Sequence, residues 1–345
     1  MSTRTPFVKV ENASRWFDVS GPWLERLLKR KPRVLLKAVN GVSFTVEKGE
    51  TLALVGESGC GKSTVARMLV GLYAPSTGTI EFDGQPVETL RTREGRHLRQ
   101  RLQMIFQDPY ASLNPRWRVA RIIAEPLKVH STLSKDERLA RVDELLQQVG
   151  LSPADRQRYP HQFSGGQRQR ISIARALAAG PEFLVCDEPT SALDVSVQAQ
   201  VLNLMKRLQR ELGLTYLFIS HNLAVVHHMA DRIAVMYLGK IVELSTRDEL
   251  FRAPRHPYTR MLLSAIPDTS GSGKRRVPVA GEVPNPLNPP LGCPFHPRCP
   301  HARDICHAEM PETVQDGASL VACHGVSHGW IEMEEQNLEV CTQER

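Results

Sequence analysis

The sequence contains no run of about eighteen consecutive apolar residues, which is the length that a membrane-spanning helix requires. Its N-terminal segment also lacks the order of a secretory signal, in which basic residues precede an apolar stretch and a small-residue cleavage site. There is no internal repeat and no sustained heptad pattern. We therefore expect a protein of the cytoplasm that reaches a membrane only through another chain.

Charge is the next bound on function. The 345 residues are 41% hydrophobic and 23% charged, which is typical of a soluble globular protein with a full hydrophobic core. The formal net charge is +7, but the acidic tail at residues 331–345 is negative, so the rest of the chain carries about +11. Such a basic surface is compatible with nucleic acid, anionic lipid or ATP, and also with an ordinary solvated face.

Four of the seven cysteines lie close together near the C-terminus, at Cys293, Cys299, Cys306 and Cys323. In a reducing compartment such a cluster indicates metal rather than disulfides. The gaps are wider than the C-x2–4-C pairs of structural zinc sites, and four separated thiolates suit an iron–sulfur cluster. Because histidines lie nearby, a zinc site is the second possibility, and free buried thiols are the third.

Predicted strands and helices alternate along the chain. Apolar β-rich runs occupy residues 7–10, 42–46, 51–55, 79–82, 182–186, 215–219, 233–237 and 240–243. Helical periodicity occupies residues 116–178 and 197–212. The alternation predicts an α/β fold with a mostly parallel sheet covered by helices. After about residue 266 the sequence is linker-like, and residues 282–300 are too rich in proline for regular structure.

A phosphate-binding loop follows the predicted strand 51–55 and precedes a helical stretch. Its residues are Gly56, Glu57, Ser58, Gly59, Cys60, Gly61, Lys62, Ser63 and Thr64, of which the first eight fit the pattern G-x-x-x-x-G-K-S. The glycines allow backbone N–H groups to turn toward phosphates, and the helix N-terminus adds a favourable dipole. We expect Lys62 to contact the β- and γ-phosphates and the Ser63 hydroxyl to ligate Mg²⁺.

Two further segments suit nucleotide chemistry. Asp187 and Glu188 follow an apolar run, which places a magnesium-coordinating carboxylate beside one that orients the attacking water. Ser164, Gly165, Gly166 and Gln167 open a helix, with Ser164 as its cap and exposed N–H groups behind it. A second phosphate-binding helix N-terminus has no use in a simple kinase or GTPase.

Together these motifs resemble the nucleotide-binding subunit of an ATP-binding cassette (ABC) transporter, over roughly residues 7–245. The remaining family motifs are the glutamine loop at Gln107, the dimer-contacting loop at Ser191, Ala192, Leu193 and Asp194, and the switch histidine at His221. The resemblance implies a P-loop NTPase domain over residues 1–258. It consists of a RecA-like core, an antiparallel β subdomain and an α-helical signature subdomain at about 110–178.

The resemblance also implies roles for individual residues. Glu188 would be the catalytic base, His221 the γ-phosphate sensor, and Gln107 a magnesium ligand beside Ser63 and Asp187. Phe17 would stack on adenine, with Trp16 as the alternative. Two such domains would dimerise head to tail, so that the Ser164–Gln167 signature of one closes on ATP held at Lys62 of the other.

Residues 284–323, with His256-Pro257-Tyr258-Thr259 ahead of them, resemble the C-terminal extension of oligopeptide and dipeptide importer ATPases. This resemblance implies an extension at 259–330, with a [4Fe–4S] cluster on its four cysteines and zinc as the alternative. It also implies a second, different ATPase subunit, two membrane permease subunits and an extracytoplasmic solute-binding protein, at the cytoplasmic face of the membrane. The solute would be a di- or oligopeptide, or else glutathione or a nickel chelate.

The alternative is a soluble ABC ATPase that acts on ribosomes or DNA. The single cassette, without a zinc insertion or heptads, argues against this alternative, so no nucleic acid is expected as a partner.

Two segments each have two possible roles. Residues 21–32 form an amphipathic stretch that either packs on its own domain or touches lipid or a partner. Trp117, Ile122 and Ile123 either line a groove for a membrane subunit or belong to the core.

Overall fold

The computed structural model describes residues 6–20, 32–93, 95–265 and 281–331. The strands of this part are β1 (Val8–Asp18), β2 (Leu35–Val46), β3 (Thr51–Val55), β4 (Thr77–Phe82), β5 (Gln85–Pro86), β6 (Leu102–Ile105), β7 (Phe183–Asp187), β8 (Thr215–Ile219), β9 (Arg232–Tyr237), β10 (Lys240–Thr246), β11 (Thr313–Asp316) and β12 (Ser319–Ala322). They form a four-stranded sheet, in the order β2-β1-β4-β5, and an eight-stranded sheet, in the order β11-β12-β10-β9-β3-β8-β7-β6.

The helices lie between these strands along the chain. They are α1 (Lys62–Leu69), α2 (Arg96–Arg101), α3 (Pro109–Ser112), α4 (Val119–His130), α5 (Lys135–Gln148), α6 (Gly165–Ala178), α7 (Val195–Leu212), α8 (Leu223–Met229), α9 (Arg247–Arg252), α10 (Pro257–Ser264), α11 (Asp304–Ala308) and α12 (His324–Ser327). Within the described ranges, no helix is both long enough and apolar enough to cross a membrane.

The larger sheet is parallel at its centre, from β6 through β7, β8 and β3 to β9. Every residue of β3, β7 and β8 is buried, as expected where helices cover both faces of a parallel sheet. The hairpin from β9 to β10 turns through Leu238 and Gly239, whose φ angles of 41° and 81° match a type I′ turn. The predicted α/β fold is confirmed.

Helix α1 lies between the two sheets. Its buried residues Val65, Met68 and Leu69 share one hydrophobic cluster with strands of the smaller sheet, such as Val8, and with strands of the larger sheet, such as Leu217. The smaller sheet therefore packs against the helix that follows the phosphate loop. This packing gives the loop a fixed place relative to both sheets.

Helices α4, α5 and α6 pack together as a helical region over the larger sheet. Ser134 caps α5 in a capping box, because its hydroxyl accepts from the Glu137 N–H and its own N–H donates to the Glu137 carboxylate. Ile122 and Ile123 are fully buried in the cluster between these helices. They therefore belong to the core, and Trp117 packs partly buried against it.

The described part of the C-terminal segment shares its core with the nucleotide-binding fold. The hairpin of β11 and β12 extends the larger sheet, since Glu243 and Leu244 of β10 pair with Val321 and Leu320 of β12. The ring of Phe295 lies 5.4 Å from that of Tyr237 and 5.5 Å from that of Tyr258. Of the segment 282–300 that was predicted to be irregular, residues 282–295 form no helix or strand, but His296–Arg298 form a short 3-10 helix.

The prediction of an iron–sulfur cluster, or of zinc, at Cys293, Cys299, Cys306 and Cys323 is wrong. Within residues 281–331 and the rest of the described chain, no group of three or more His, Cys, Asp or Glu side chains could hold a metal ion. The cavity that the four cysteines line measures only about 10 Å³, the space of a single water. Burial raises the thiol pKa of Cys293 to about 12 and of Cys299 to about 11, because the charged thiolate is disfavoured away from water.

Three predicted segments lie outside the described residues, in whole or in all but one position. They are the amphipathic stretch at 21–32, of which only Pro32 is described, the linker within 266–280 and the acidic tail from residue 332 onward.

Candidate nucleotide site

The phosphate loop connects β3 to α1, and backbone atoms of neighbouring strands pack closely against two of its glycines. A Cβ atom on Gly56 would lie 2.1 Å from the carbonyl oxygen of Met236, and one on Gly61 would lie 2.2 Å from that of Ala38. The φ angles are 151° at Gly56 and 110° at Gly61, a region that side chains rarely adopt. Neighbouring strands therefore require glycine at both positions, and the loop wraps closely around the space in front of α1.

Lys62 is buried inside this loop, with 5% of its surface exposed. Its ammonium donates to the carbonyl oxygens of Gly56, at 2.7 Å, and Glu57, at 2.9 Å. A buried ammonium needs such acceptors, because an unpaired charge is costly away from water. The Lys62 ammonium is therefore bound to two backbone carbonyl oxygens of the loop. Phosphate oxygens of a nucleotide would replace these carbonyl oxygens as its acceptors. Cys60, with its sulfur 3.7 Å from the ammonium, is buried in the same loop.

Ser63 and Asp187 meet at the ends of α1 and β7. The Ser63 hydroxyl donates to Asp187 Oδ1 at 3.0 Å, and only 3% of the Asp187 surface is exposed. Burial raises the pKa of the Asp187 carboxyl, and the hydrogen bond from Ser63 opposes that rise. A hydroxyl and a carboxylate are hard oxygen donors of the kind that Mg²⁺ prefers, so the pair fits this ion.

Three predicted residues, Gln107, Glu188 and His221, meet where three strands end. Oε2 of Glu188 accepts from Gln107 Nε2 at 3.0 Å, and Oε1 of Glu188 lies 3.2 Å from Nδ1 of His221. Glu188 has a φ angle of 47°, which is uncommon for a residue with a side chain, and its N–H is tied to the carbonyl of Ile219 at 3.0 Å. Backbone strain of this kind is characteristic of functional positions.

The predicted signature residues begin α6. Ser164 accepts from the N–H of Gln167, and the Gln167 side chain accepts from the N–H of Ser164 at 3.0 Å, which completes a capping box. A Cβ on Gly166 would meet Val197 at 2.3 Å, whereas one on Gly165 would touch Leu193 at 3.4 Å. The signature therefore lies against the predicted dimer loop of its own chain.

The dimer loop itself faces outward. Ser191, Ala192 and Asp194 are exposed, and Val195 just after them has 83% of its surface exposed. The loop is nevertheless anchored beside the cluster of Gln107, Glu188 and His221, because the Ser191 hydroxyl donates to the carbonyl oxygen of Glu188 at 3.1 Å. The loop is therefore fixed to the backbone of Glu188 while most of its residues stay exposed.

The two candidates for the adenine-stacking aromatic have different surroundings. Phe17 lies 5.4 Å from the ring of Tyr73, edge to face, with the Arg15 guanidinium 4.9 Å from its centre. Trp16 lies under the ammonium of Lys37, 5.6 Å from its ring centre. Both rings are half-buried, and the choice between them stays a prediction.

Sequence reasoning missed two residues that contact the phosphate loop. Tyr258 accepts a hydrogen bond from the Glu57 N–H at 2.9 Å, and Arg298 forms two hydrogen bonds to the Glu57 carboxylate. Tyr258 lies in the His-Pro-Tyr-Thr segment, whose only signal in the sequence was its resemblance to importer ATPases. Nothing in the sequence around Arg298 pointed to a contact with residue 57.

This fold and site define a P-loop nucleotide-binding domain with a signature helix. A family model described as "ABC transporter" matches residues 39–191, and one described as "Oligopeptide/dipeptide transporter, C-terminal region" matches residues 242–306. The chain is 55% identical to the oligopeptide transport ATP-binding protein AppF of Bacillus subtilis, over 84% of this chain and 89% of that protein. It is 50% identical to the dipeptide transport ATP-binding protein DppF of Escherichia coli, over 86% and 89%.

Solved structures agree with this match. The ATP-binding cassette MJ0796, in a dimeric post-hydrolysis state bound to ADP and Pi, is 26% identical and superposes with a TM-score of 0.60 over 70% of this chain and 98% of that one. CbiO1 of Clostridium perfringens is 29% identical, with a TM-score of 0.60 over 72% and 91%. The chain belongs to the ABC transporter ATP-binding proteins, in the oligopeptide and dipeptide family. The names of these relatives give no support to an iron–sulfur protein.

Proposed function

We propose that the chain is the ATP-binding and ATP-hydrolysing subunit of an ABC importer that energises uptake of di- or oligopeptides. The observation that carries the proposal is the cluster around Glu188, in which one carboxylate meets both Gln107 and His221 beside the Ser63–Asp187 pair. The names of the relatives, which are oligopeptide, di/tripeptide and dipeptide transport proteins, support the solute class.

The residues present fit ATP and Mg²⁺. Gly56 to Thr64 would hold the phosphates through backbone N–H groups and Lys62, and the N-terminus of α1 adds a favourable dipole. Ser63, Asp187 and Gln107 would hold Mg²⁺, which neutralises charge on the phosphates when bound. Phe17 would stack on the adenine.

Glu188 is the residue assigned to the attacking water. Its carboxylate is held by Gln107 from one side and His221 from the other, so it is oriented before any substrate arrives. A positioned base of this kind accepts a proton as the water attacks. His221 is assigned to the γ-phosphate, and its Nδ1 lies 3.2 Å from Glu188 Oε1.

Hydrolysis in this proposal needs a second ATPase subunit. The Ser164–Gln167 helix N-terminus of one subunit would contact ATP on the other, and the exposed loop at Ser191–Asp194 would lie in the interface. We propose a related but different chain as the partner. Two membrane permease subunits and an extracytoplasmic solute-binding protein would complete the importer and hold this chain at the cytoplasmic face of the membrane.

The domain boundaries are part of this proposal. Residues 1–258 form the nucleotide-binding domain, with a helical subdomain at about 110–178, and residues 259–330 form an importer-type C-terminal extension before the tail at 331–345. The match of a C-terminal family model to residues 242–306 supports the extension. The paired strands β10 and β12 mean that this extension packs as part of the larger sheet.

Co-purification and stimulated ATPase assays test the function. The chain should co-purify with permease subunits, and ATP hydrolysis by the reconstituted complex should rise when solute-loaded binding protein is added. A panel of dipeptides, oligopeptides, glutathione and a nickel chelate identifies the solute. Stimulation by the peptides supports the proposal, whereas stimulation only by glutathione or the nickel chelate, or only by nucleic acid, contradicts it.

A further inference from the structure

An arginine from the C-terminal segment reaches into the phosphate loop. Arg298 Nη1 donates to Glu57 Oε2 at 2.7 Å, and Nη2 donates to Glu57 Oε1 at 2.9 Å. Only 2% of the Arg298 side chain is exposed, against 26% for Glu57. A bidentate pair of this kind is strong and fixes the orientation of both groups.

The Arg298 side chain is itself held in place. Its guanidinium lies 5.8 Å from the ring centre of Tyr237 and 5.9 Å from that of Phe295, and Nη1 is 3.5 Å from the Tyr237 hydroxyl. Nη2 also lies 3.8 Å from the sulfur of Met261. The surrounding rings leave this arginine little freedom, so it presents a fixed fork to the loop.

Glu57 is also held through its backbone. Its N–H donates to the hydroxyl of Tyr258 at 2.9 Å, and its carbonyl oxygen accepts from the Lys62 ammonium at 2.9 Å. The carboxylate and the N–H of Glu57 are therefore bound by Arg298 and Tyr258, and its carbonyl oxygen binds Lys62, the residue assigned to ATP. The C-terminal segment is connected to Lys62 through a single residue.

The charge of Glu57 makes this connection consequential. A carboxylate in a phosphate loop places a negative charge beside the site of a triphosphate, where like charges repel. The Arg298 guanidinium neutralises that charge at hydrogen-bonding distance. Removal of the arginine would leave the carboxylate unpaired and partly buried, which is costly in itself and unfavourable to a second anion.

We propose that Arg298 is a positioning residue of the nucleotide site: it neutralises Glu57 and fixes the phosphate loop, so that the C-terminal segment sets the affinity for ATP. The inference rests on the proposed function, because it assumes that this loop binds ATP.

The first experiment compares Arg298→Met with the wild-type full-length chain. We expect the dissociation constant of ATP, measured without Mg²⁺ by calorimetry so that no hydrolysis occurs, to rise roughly tenfold from loss of one neutralising charge. Amide hydrogen exchange across residues 56–62 should become faster, because the side-chain anchor of Glu57 is gone. Thermal unfolding of each variant reports global stability separately.

Arg255→Met is the matched control. Arg255 is also a buried arginine at the junction with the C-terminal segment, where it pairs with Glu249 at 2.6 Å and with Asp316 at 3.4 Å. This variant should lower the unfolding temperature while the affinity for ATP and the exchange of residues 56–62 stay unchanged. An equal loss of affinity in Arg255→Met would overturn the proposal, since the effect would then be general destabilisation.

Two further variants separate charge from folding. Glu57→Gln in the Arg298→Met background removes the unpaired carboxylate and should recover most of the lost affinity. Arg298→Lys keeps the charge but not the fork, so it should fold, lose less affinity and still speed exchange of residues 56–62. Affinity for ATP like that of the wild type in both Arg298 variants would overturn the inference. A wild-type chain that fails to bind ATP would instead overturn the proposed function.

Discussion

Polar side chains meet in very different ways in two regions of this molecule, the nucleotide site and residues 281–331. At the nucleotide site, Glu188, Gln107 and His221 come from separate strand ends and join through hydrogen bonds, with Ser63 and Asp187 beside them. In residues 281–331, Cys293, Cys299 and Cys306 pack in one hydrophobic cluster with the aromatic ring of Phe295. Polar groups that converge from several elements indicate chemistry, whereas clustered cysteines alone indicate only burial.

The largest expected effect comes from a substitution within the nucleotide site, Glu188→Gln. Glu188→Gln removes the proposed base but keeps a side chain of the same shape, so ATP should still bind while turnover falls by about 10²–10⁴. Single-turnover hydrolysis and ATP binding measure the two quantities. Glu182→Gln is the control, because Glu182 pairs with Lys48 and Arg101 away from the site, and it should hydrolyse ATP normally. Rapid single-turnover hydrolysis by Glu188→Gln would contradict its role.

The second prediction breaks the C-terminal side of the comparison. Phe295→Ala deletes a ring that is 98% buried between Tyr237 and Tyr258, and it should lower the free energy of unfolding by about 3–5 kcal/mol. Leu291→Ala, at a side chain with 83% exposure in the same segment, should change it by less than about 0.5 kcal/mol. Chemical denaturation compares the two variants, and equal effects would mean that the segment does not pack as part of the core.

A third prediction sharpens the nucleotide site by choosing its aromatic residue. Phe17→Ala should weaken ATP binding by about 1–3 kcal/mol, the range found for loss of a base–aromatic stack. Trp16→Ala should leave the affinity for ATP close to that of the wild type. Calorimetric titration with ATP and with inorganic triphosphate shows whether the loss belongs to the adenine. The reverse order of effects would assign the stack to Trp16.

The last effect concerns His256, at the border between the two regions, and amounts to about 2 kcal/mol between pH 7 and pH 5. Burial lowers its pKa to about 3 from an ordinary value of 6.5, so the unfolded chain binds a proton in this range and the folded chain does not. Stability from this residue is present above pH 6.5 and falls by about 1.4 kcal/mol per pH unit as the pH drops toward 3.

His256→Asn gives the matching measurement. Asn still caps α10, as His256 does by accepting from the Tyr258 N–H at 3.0 Å, but it does not titrate. Denaturant unfolding between pH 7 and pH 5 should therefore show a shallower loss of stability in the variant. Parallel curves for the two proteins would contradict the assignment to His256.

Much of the fold followed from local pattern. The predicted strand at 215–219 matches β8, and the loop at 56–64 precedes a helix as expected. Prediction of β1 stopped at residue 10, whereas the strand continues to Asp18 through bulges near Ala13, because its polar half is held by pairing with β2. Such pairing is decided by the partner strand and leaves little trace in the sequence.

The sequence by itself determined the phosphate loop, because the pattern G-x-x-x-x-G-K-S between a strand and a helix is a local signal. It also determined the order of motifs that brings Gln107, Glu188 and His221 to one sheet edge, since parallel strands end together. Only the tertiary structure decided that the four cysteines are free thiols, three of them buried, and that Arg298 binds Glu57. That contact spans 241 residues of chain, and packing of distant segments, not spacing, creates it.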